Sequence, residues 1–308
     1  MHPTSDKRAL AVLIFGACMI GFGPVLVRLA QAEHVDPAGS GFWRVTLALP
    51  ILAAMSFAPR RGPEIGRGPS WIAVLAGFLF AGDLLCWHYG IRFTSVANAT
   101  VLSNMTPILV TAAAWLMFRE APRPVFLVGM ALAIGGSAMM GLAKGGGGLA
   151  PHLGDGLSAF TAVWYAAYIL VVREARQSMG ASVLIFWSSL VASPLLLASA
   201  LFLGERIWPT GPLGWAALVG LGVMHVAGQG SIAWALGRLP APLAAVVVLV
   251  QPVVAALAAW AAFGERLTWM QALGGAIALG GVVLAQAAGR AAARREAAAV
   301  AIAGGDAS

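Results

Sequence analysis

The chain has 308 residues, 60% of them hydrophobic and 10% charged, with a formal charge of +7 and a mean hydropathy of +0.85. A soluble domain carries about 25% charged residues, so the composition excludes a soluble core and places the chain in a bilayer. The basic excess sits between apolar runs, where it sets membrane orientation, and this argues against nucleic acid as its partner.

Apolar runs at 9–30, 39–58, 70–90, 94–118, 124–143, 154–172, 181–203, 212–237, 240–263 and 267–287 each approach the length of about 20 residues that a span requires. They predict an all-α integral membrane protein of ten transmembrane helices. Lys7 and Arg8 ahead of the first run imitate a signal peptide. That run is long enough to span and has no convincing small-x-small cleavage site before a polar mature start, so it reads as an uncleaved first helix. Breakers stand where helices should end: Pro59, Pro63 and Pro69, then Pro122 and Pro124, then Gly145 to Gly148 with Pro151, then Pro209, Pro212 and Pro240. The glycine run is the natural link between two halves. After Gly289 an Ala-rich tail with Arg290, Arg294 and Arg295 reads as a frayed cytoplasmic helix. With the N-terminus inside, 13 of the 19 Lys and Arg fall on the inner side and 6 on the outer, which predicts cytoplasmic termini in an inner membrane. Cys18 and Cys86 lie in apolar runs and offer neither a disulfide framework nor a metal-ligand spacing.

The chain repeats itself. At an offset of 145 residues, Ala99–Gly136 falls on Ala244–Gly281 without a gap, and Pro107, Trp115, Phe118, Glu120, Gly129, Gly135 and Gly136 meet identical residues. Arg28 lands on Arg173 at the same offset; an offset of 144 aligns Phe42-Trp43 with Phe186-Trp187 and Pro50 with Pro194. Each copy holds five predicted spans. An odd number forces the two copies into opposite orientations, an inverted repeat. The expected units are 1–145, 152–289 and a tail at 290–308. Gly129, Gly135, Gly136, Gly274, Gly280 and Gly281 read first as close helix packing.

The run Thr94 to Thr100, then Pro107, Trp115 to Glu120, Gly129 and Gly135-Gly136, resembles the EamA half-repeat, and the second copy follows with Pro240 to Ala245, Gln251-Pro252, Phe263-Gly264-Glu265, Gly274-Gly275 and Gly280-Gly281. Two such copies resemble the ten-span drug/metabolite transporter superfamily. The resemblance implies a permease for a small metabolite, with export favoured. It speaks for the fold more than for the substrate. Many relatives carry Trp-Gly in span one where this chain has Phe22-Gly23-Pro24.

Arg44 and Asp83 are the charges set well inside predicted spans. A charge in hydrocarbon costs several kcal/mol unless it faces a cavity or a partner, so both are candidates. They lie at matching depths, roughly 8 Å and 10 Å from the outer ends of their helices at 1.5 Å per residue. A structural salt bridge and a pair that also meets substrate or a proton both fit. Trp87 shares a helix face with Asp83, and His88 lies about 140° further round. An Asp/His set could couple proton movement to transport. His225 with Gln229 one turn away is the counterpart in the second half, and Asn98, Asn104 and Gln251 are uncharged polar groups near mid-span. Pro107 and Pro252 are equivalent helix-break positions, each freeing a carbonyl one turn earlier, at Ser103 and Val248; an exposed carbonyl for substrate and a simple kink both fit. Trp43, Trp164 and Tyr168 are candidate lining aromatics, whereas Trp71, Trp208, Trp215 and Trp269 read as interface anchors, and Glu120 and Glu265 as helix-end partners of arginines. No nucleotide-phosphate loop, metal cluster or cofactor motif is recognisable. The expected partners are a small-molecule substrate, the lipid bilayer and, as a candidate coupling ion, the proton. A lipid or lipid-linked sugar flippase is the runner-up, and an integral-membrane enzyme is the alternative of another class.

Overall fold

A computed structural model describes residues 3–57, 68–94, 102–119, 121–142, 151–264 and 267–305, with backbone alone at 3–6, 91, 118, 141, 151 and 289–305. Asn98, Glu120, Glu265 and the glycine run 145–148 lie outside the described residues. Among those described there is no strand. The helices are α1 Pro3–Gly21, α2 Gly23–Ala32, α3 Pro37–Thr46, α4 Leu49–Phe57, α5 Trp71–Phe93, α6 Thr106–Phe118, α7 Pro124–Leu142, α8 Pro151–Ala175, α9 Ala181–Phe202, α10 Pro212–Met224, α11 Gly230–Leu236, α12 Ala241–Val248, α13 Gln251–Phe263 and α14 Trp269–Gly305. A π-helical turn, His225–Gln229, joins α10 to α11.

Taken across their kinks, eight of these segments are long and apolar enough to cross a membrane: Lys7–Ala32, Pro37–Phe57, Trp71–Gly90, His152–Ala175, Ala181–Phe202, Pro212–Leu236, Ala241–Phe263 and Trp269–Ala288. Two shorter apolar helices, Thr106–Met117 and Pro124–Met140, stand where the fourth and fifth spans are expected. The helix begun at Trp269 continues unbroken to Gly305, through the segment read as a frayed tail. Large apolar side chains face outward, among them Trp71 at 74% exposure, Leu116 at 78% and Phe202 at 90%, as a lipid-facing surface requires.

Four spans are broken, and each break ends two residues before a proline: at Phe22 before Pro24, Leu47-Ala48 before Pro50, Asn104-Met105 before Pro107 and Leu249-Val250 before Pro252. Proline lacks the N–H that would close the preceding turn, while its fixed φ suits the first turn of the next helix. At Pro107 and Pro252 the chain stays in the right-handed helical region and closes the break with hydrogen bonds of one residue shorter reach, such as Met105 N–H to Leu102 O and Val250 N–H to Val247 O, so each is a tight kink. The carbonyl of Ser103, freed by the first, accepts a hydrogen bond from the Thr106 hydroxyl at 2.8 Å.

A close contact joins α7 to α14 along their lengths, and it is reciprocal. A Cβ placed on Gly129 would stand 2.6 Å from Ala285 N and 2.8 Å from Gly281 O; one placed on Gly274 would stand 2.8 Å from Gly136 O and 3.0 Å from Met140 N. A Cβ on Gly136 would meet Ala278, and one on Gly281 would meet Ala133. Every partner is the 145-offset image of the other. The low-numbered end of α7 meets the high-numbered end of the contact on α14, so the two helices run antiparallel. Without a hydrophobic drive between helices in lipid, such backbone-to-backbone approach supplies the dispersion contact. The same exchange recurs nearer the core, where Gly77 on α5 packs on Ser188 and Val191 of α9 and its image Gly222 on α10 packs on Leu47.

Candidate functional site

Polar residues inside spans converge on one ring. Phe80, 1% exposed and three residues before Asp83 on α5, lies at the centre. The Arg44 guanidinium sits 5.5 Å from its centroid, the Tyr168 ring 5.1 Å and the His225 ring 5.2 Å. Arg44 projects from the last turn of α3, where the negative end of the helix dipole favours a cation. Tyr168 comes from α8 and stacks on Tyr165 at 6.1 Å. His225 opens the π-helical turn, a backbone feature that recurs at functional sites. Asp83, His88, Tyr165, Tyr168 and His225 all lie within electrostatic reach of Arg44.

These groups are buried and incompletely partnered. Arg44 is 7% exposed, Asp83 8%, His88 5%, His225 1% and Gln229 3%. Arg44 Nε, His88 Nε2, His225 Nδ1 and Gln229 Oε1 have no hydrogen-bond partner. His88 Nδ1 donates to the Leu84 carbonyl at 2.7 Å; a carbonyl only accepts, so Nδ1 carries the hydrogen. His225 Nε2 and the Ser189 hydroxyl share a hydrogen bond of 3.0 Å, which aims the free Nδ1 away from α9. Buried polar atoms are almost always satisfied, so four orphans in one cluster mark a place built to meet something polar. Arg44 and Asp83 form no ion pair within 4.0 Å, although both are described. The salt-bridge lock between spans two and three is absent from this conformation.

The other residues singled out in the sequence lie apart from Phe80 or at its edge. Trp87 meets His88 edge-on at 4.9 Å. Trp164, half-buried on the same face of α8 as Tyr168, packs over Gly82 and against Phe78 and Phe160 at 5.5 and 5.8 Å, at the edge of the core that holds Tyr168. Asn104 and Gln251, both half-buried with unpartnered amide nitrogens, stand at the two proline breaks. Trp43 turns away from its neighbour Arg44. Its indole N–H donates to the Ile207 carbonyl at 2.6 Å, and its ring meets Trp208 and Trp215 edge-on at 5.2 and 5.1 Å.

That contact belongs to a strap. Residues 203–211, between α9 and α10, are fastened to the start of α3: Glu205 accepts from the Ala38 and Gly39 amides at 2.8 and 3.3 Å and from the Tyr89 hydroxyl. Asp36 accepts from the Arg206 amide at 2.9 Å and lies 3.9 Å from Arg92. Glu205 thus serves as a borrowed cap for α3, whose own N-cap Asp36 makes no capping bond. Sequence reading missed Phe80, Ser189 and this strap. The 145-residue offset, which lands Phe80 on His225, is the one signal that could have found the first.

A model of the EamA-like transporter family matches residues 7–142 and 152–286, one copy in each half. Two proteins of Archaeoglobus fulgidus, each described as an uncharacterized transporter, are similar along nearly their whole length. One is 27% identical over 282 residues, covering 89% of this chain and 95% of the relative. The other is 25% identical over 288 residues, covering 91% and 96%. A solved structure, titled only as the crystal structure of a protein, superposes with a TM-score of 0.76 at 19% identity, over 94% of this chain and 99% of that one, which is a likeness of fold.

Proposed function

The chain belongs to the EamA-like transporter family and is a multi-pass membrane transporter, and from that premise we propose a ten-span permease that moves a small polar or amphipathic metabolite by alternating access. Two inverted five-span repeats, 1–145 and 152–289, rock about the site between them, with both termini in the cytoplasm and the inner membrane as location. The reciprocal, antiparallel packing of α7 on α14 supports the inversion. The observation that carries the site is the cluster around Phe80: side chains from α3, α5, α8, α9 and the π-helical turn, from both halves, meet with four buried polar atoms unpartnered. Interrupted helices at equivalent places in the two halves are a further pointer to a midplane site. A flippase calls for a groove open to lipid; the depth at which Arg44, His225 and Gln229 are buried favours an enclosed site instead.

Asp83 is the candidate proton carrier. It is a buried carboxylate near, but not bonded to, a permanent cation, so its ionisation responds to small movements of Arg44. Export is the direction the family resemblance favours. Purified protein in liposomes, loaded with a metabolite panel and assayed with and without a pH gradient, tests the reading. Flux of at least one metabolite is expected, faster with the gradient and lost in Asp83→Asn for the driven component. No flux for any member of the panel, from protein that folds, would overturn it.

A further inference from the structure

The cluster around Phe80 contains a charge with no bonded counter-ion. Arg44 is nine-tenths buried, its Nε has no partner, and among the described residues no carboxylate stands within 4.0 Å of its guanidinium. The two kinds of charge present are not equivalent. A carboxylate can relieve its burial by taking a proton, as Asp83 can; a guanidinium keeps its charge at any accessible pH. The face of Phe80, 5.5 Å away, offers a cation–π attraction worth about 0.5–2 kcal/mol, less than the several kcal/mol of burying an ion. The standing demand at this site is therefore for an anion.

We propose that Arg44 receives a carboxylate-type anionic group of the transported molecule, whose apolar body packs on Phe80 and Tyr168. The proposal rests on the reading of this cluster as the transport site and adds the chemistry of what enters it. The planar fork of a guanidinium fits a carboxylate through two parallel hydrogen bonds. The Phe80 and Tyr168 rings, 5.1 Å apart, form an apolar wall beside it, and His225 Nδ1 and Gln229 Oε1 are free to meet a polar substituent. A cationic molecule on Asp83 would do the opposite, leaving Arg44 uncompensated and adding a second positive charge within its reach. A phosphate dianion would bring two charges to one guanidinium and set the second against Asp83. A carboxylate also competes with ionised Asp83 for Arg44, so binding is tightest when Asp83 is protonated, and one proton travels with one anion.

The test uses the purified full chain and three probes that share a ring: benzoate, phenyl phosphate and benzylamine, read by thermal unfolding in detergent. Benzoate at roughly ten times its dissociation constant should raise the midpoint by about 2 °C or more. Neither other probe should, and Arg44→Gln should abolish the rise. If Arg44→Gln does not fold, Arg44→Lys keeps the charge but not the fork; the benzoate shift should shrink and benzylamine should still do nothing. Stabilisation by benzylamine, an equal shift with phenyl phosphate, a benzoate shift that survives Arg44→Gln, or no benzoate shift at all overturns the proposal. A cysteine at Ser189 in a Cys18→Ser, Cys86→Ser background separates this from failure of the site itself. Reaction of Ser189→Cys with an impermeant thiol reagent, without a benzoate effect, removes the anion and keeps the path. No reaction from either side of the membrane removes the path as well.

Discussion

The two halves of the chain are alike where helices touch and unlike where chemistry gathers. Gly129, Ala133 and Gly136 on α7 meet one another's images on α14, and Gly77 and Gly222 make matching approaches to α9 and to the end of α3. At the centre the images part. Phe80 answers to His225, Asp83 to Gly228 and His88 to Ala233 at the offset of 145, and Arg44 answers to Ser188 at the offset of 144. Phe80 and His225 touch, with ring centroids 5.2 Å apart, as positions beside the axis of the proposed inverted repeat would. A faithful copy of Arg44 or Asp83 would bury a second like charge in the same helix core. Like charges in a low-dielectric site drive one another neutral or out. In the proposed inverted repeat, a charged site near the axis is therefore tolerated only after one half has given its charges up.

The frame should break most severely, and equally from both sides. Gly136→Val and Gly281→Val each thrust a side chain into the backbone of the partner helix, which cannot give way as a side-chain tip can. Each should cost at least about 3 kcal/mol and remove the monodisperse peak in detergent gel filtration. Their chain neighbours Gly135 and Gly280 have nothing within 4 Å of the place a methyl group would take, so Gly135→Ala and Gly280→Ala should fold and gain up to about 1 kcal/mol of helix propensity. A tolerated Gly136→Val beside a Gly281→Val that does not fold would show that the reciprocity is one of geometry and not of energy.

The site should respond unequally. Arg44→Gln should lower flux about 100-fold or more, the scale of removing one partner from a desolvated charged contact, while Ser188→Ala at the image position should leave it within about twofold. Exchanging the axial pair, Phe80→His with His225→Phe, sharpens the comparison further. The exchange conserves composition and nearly conserves volume, so the protein should fold. It moves the imidazole from beside Ser189 to beside Arg44 and Asp83 and should cost about tenfold in flux. An exchanged protein that transports normally would mean the axis is indifferent to which half supplies the imidazole.

What could be read from the sequence follows the same division. The repeat is legible because packing positions tolerate few residue types: glycine where backbones meet, proline where a helix restarts. Arg44, Asp83, His88, His225 and Gln229 stand out because polar groups in apolar runs need a reason to be there. Phe80 does not, since a phenylalanine in an apolar helix carries no signal of its own. Trp43 is drawn to the site by its sequence neighbour Arg44, but a step of about 100° per residue turns it from the Arg44 face toward the strap. Pro50 breaks its span and its image Pro194 does not. Whether a freed carbonyl is satisfied again depends on neighbouring helices, which local sequence does not display. Glu205 and Asp36, far apart in sequence, are brought to one helix start by the fold alone.

The smallest expected difference between the halves lies at the ends of α6 and α13. Both helices stop in the left-handed region, at Arg119 with φ 55° and at its image Gly264 with φ 66°. The Gly264 N–H caps the Trp260 carbonyl at 3.0 Å, a closing turn in which glycine carries no steric penalty. Arg119 adopts the same conformation with a Cβ, which costs about 1–2 kcal/mol against the following carbonyl. Part of that returns on substitution, because glycine also loses more backbone entropy on folding. Arg119→Gly should therefore stabilise the folded chain by about 0.5–1 kcal/mol, and Gly264→Arg should destabilise it by a similar amount, both read from thermal unfolding in one detergent. In the proposed orientation Arg119 stands on the inner side, and its charge there helps hold that orientation. Arg119→Lys keeps both charge and strain and should leave stability unchanged. If Arg119→Gly proves less stable than the parent while Arg119→Lys matches it, the charge outweighs the strain, and the two helix ends are equivalent in shape but not in what holds them.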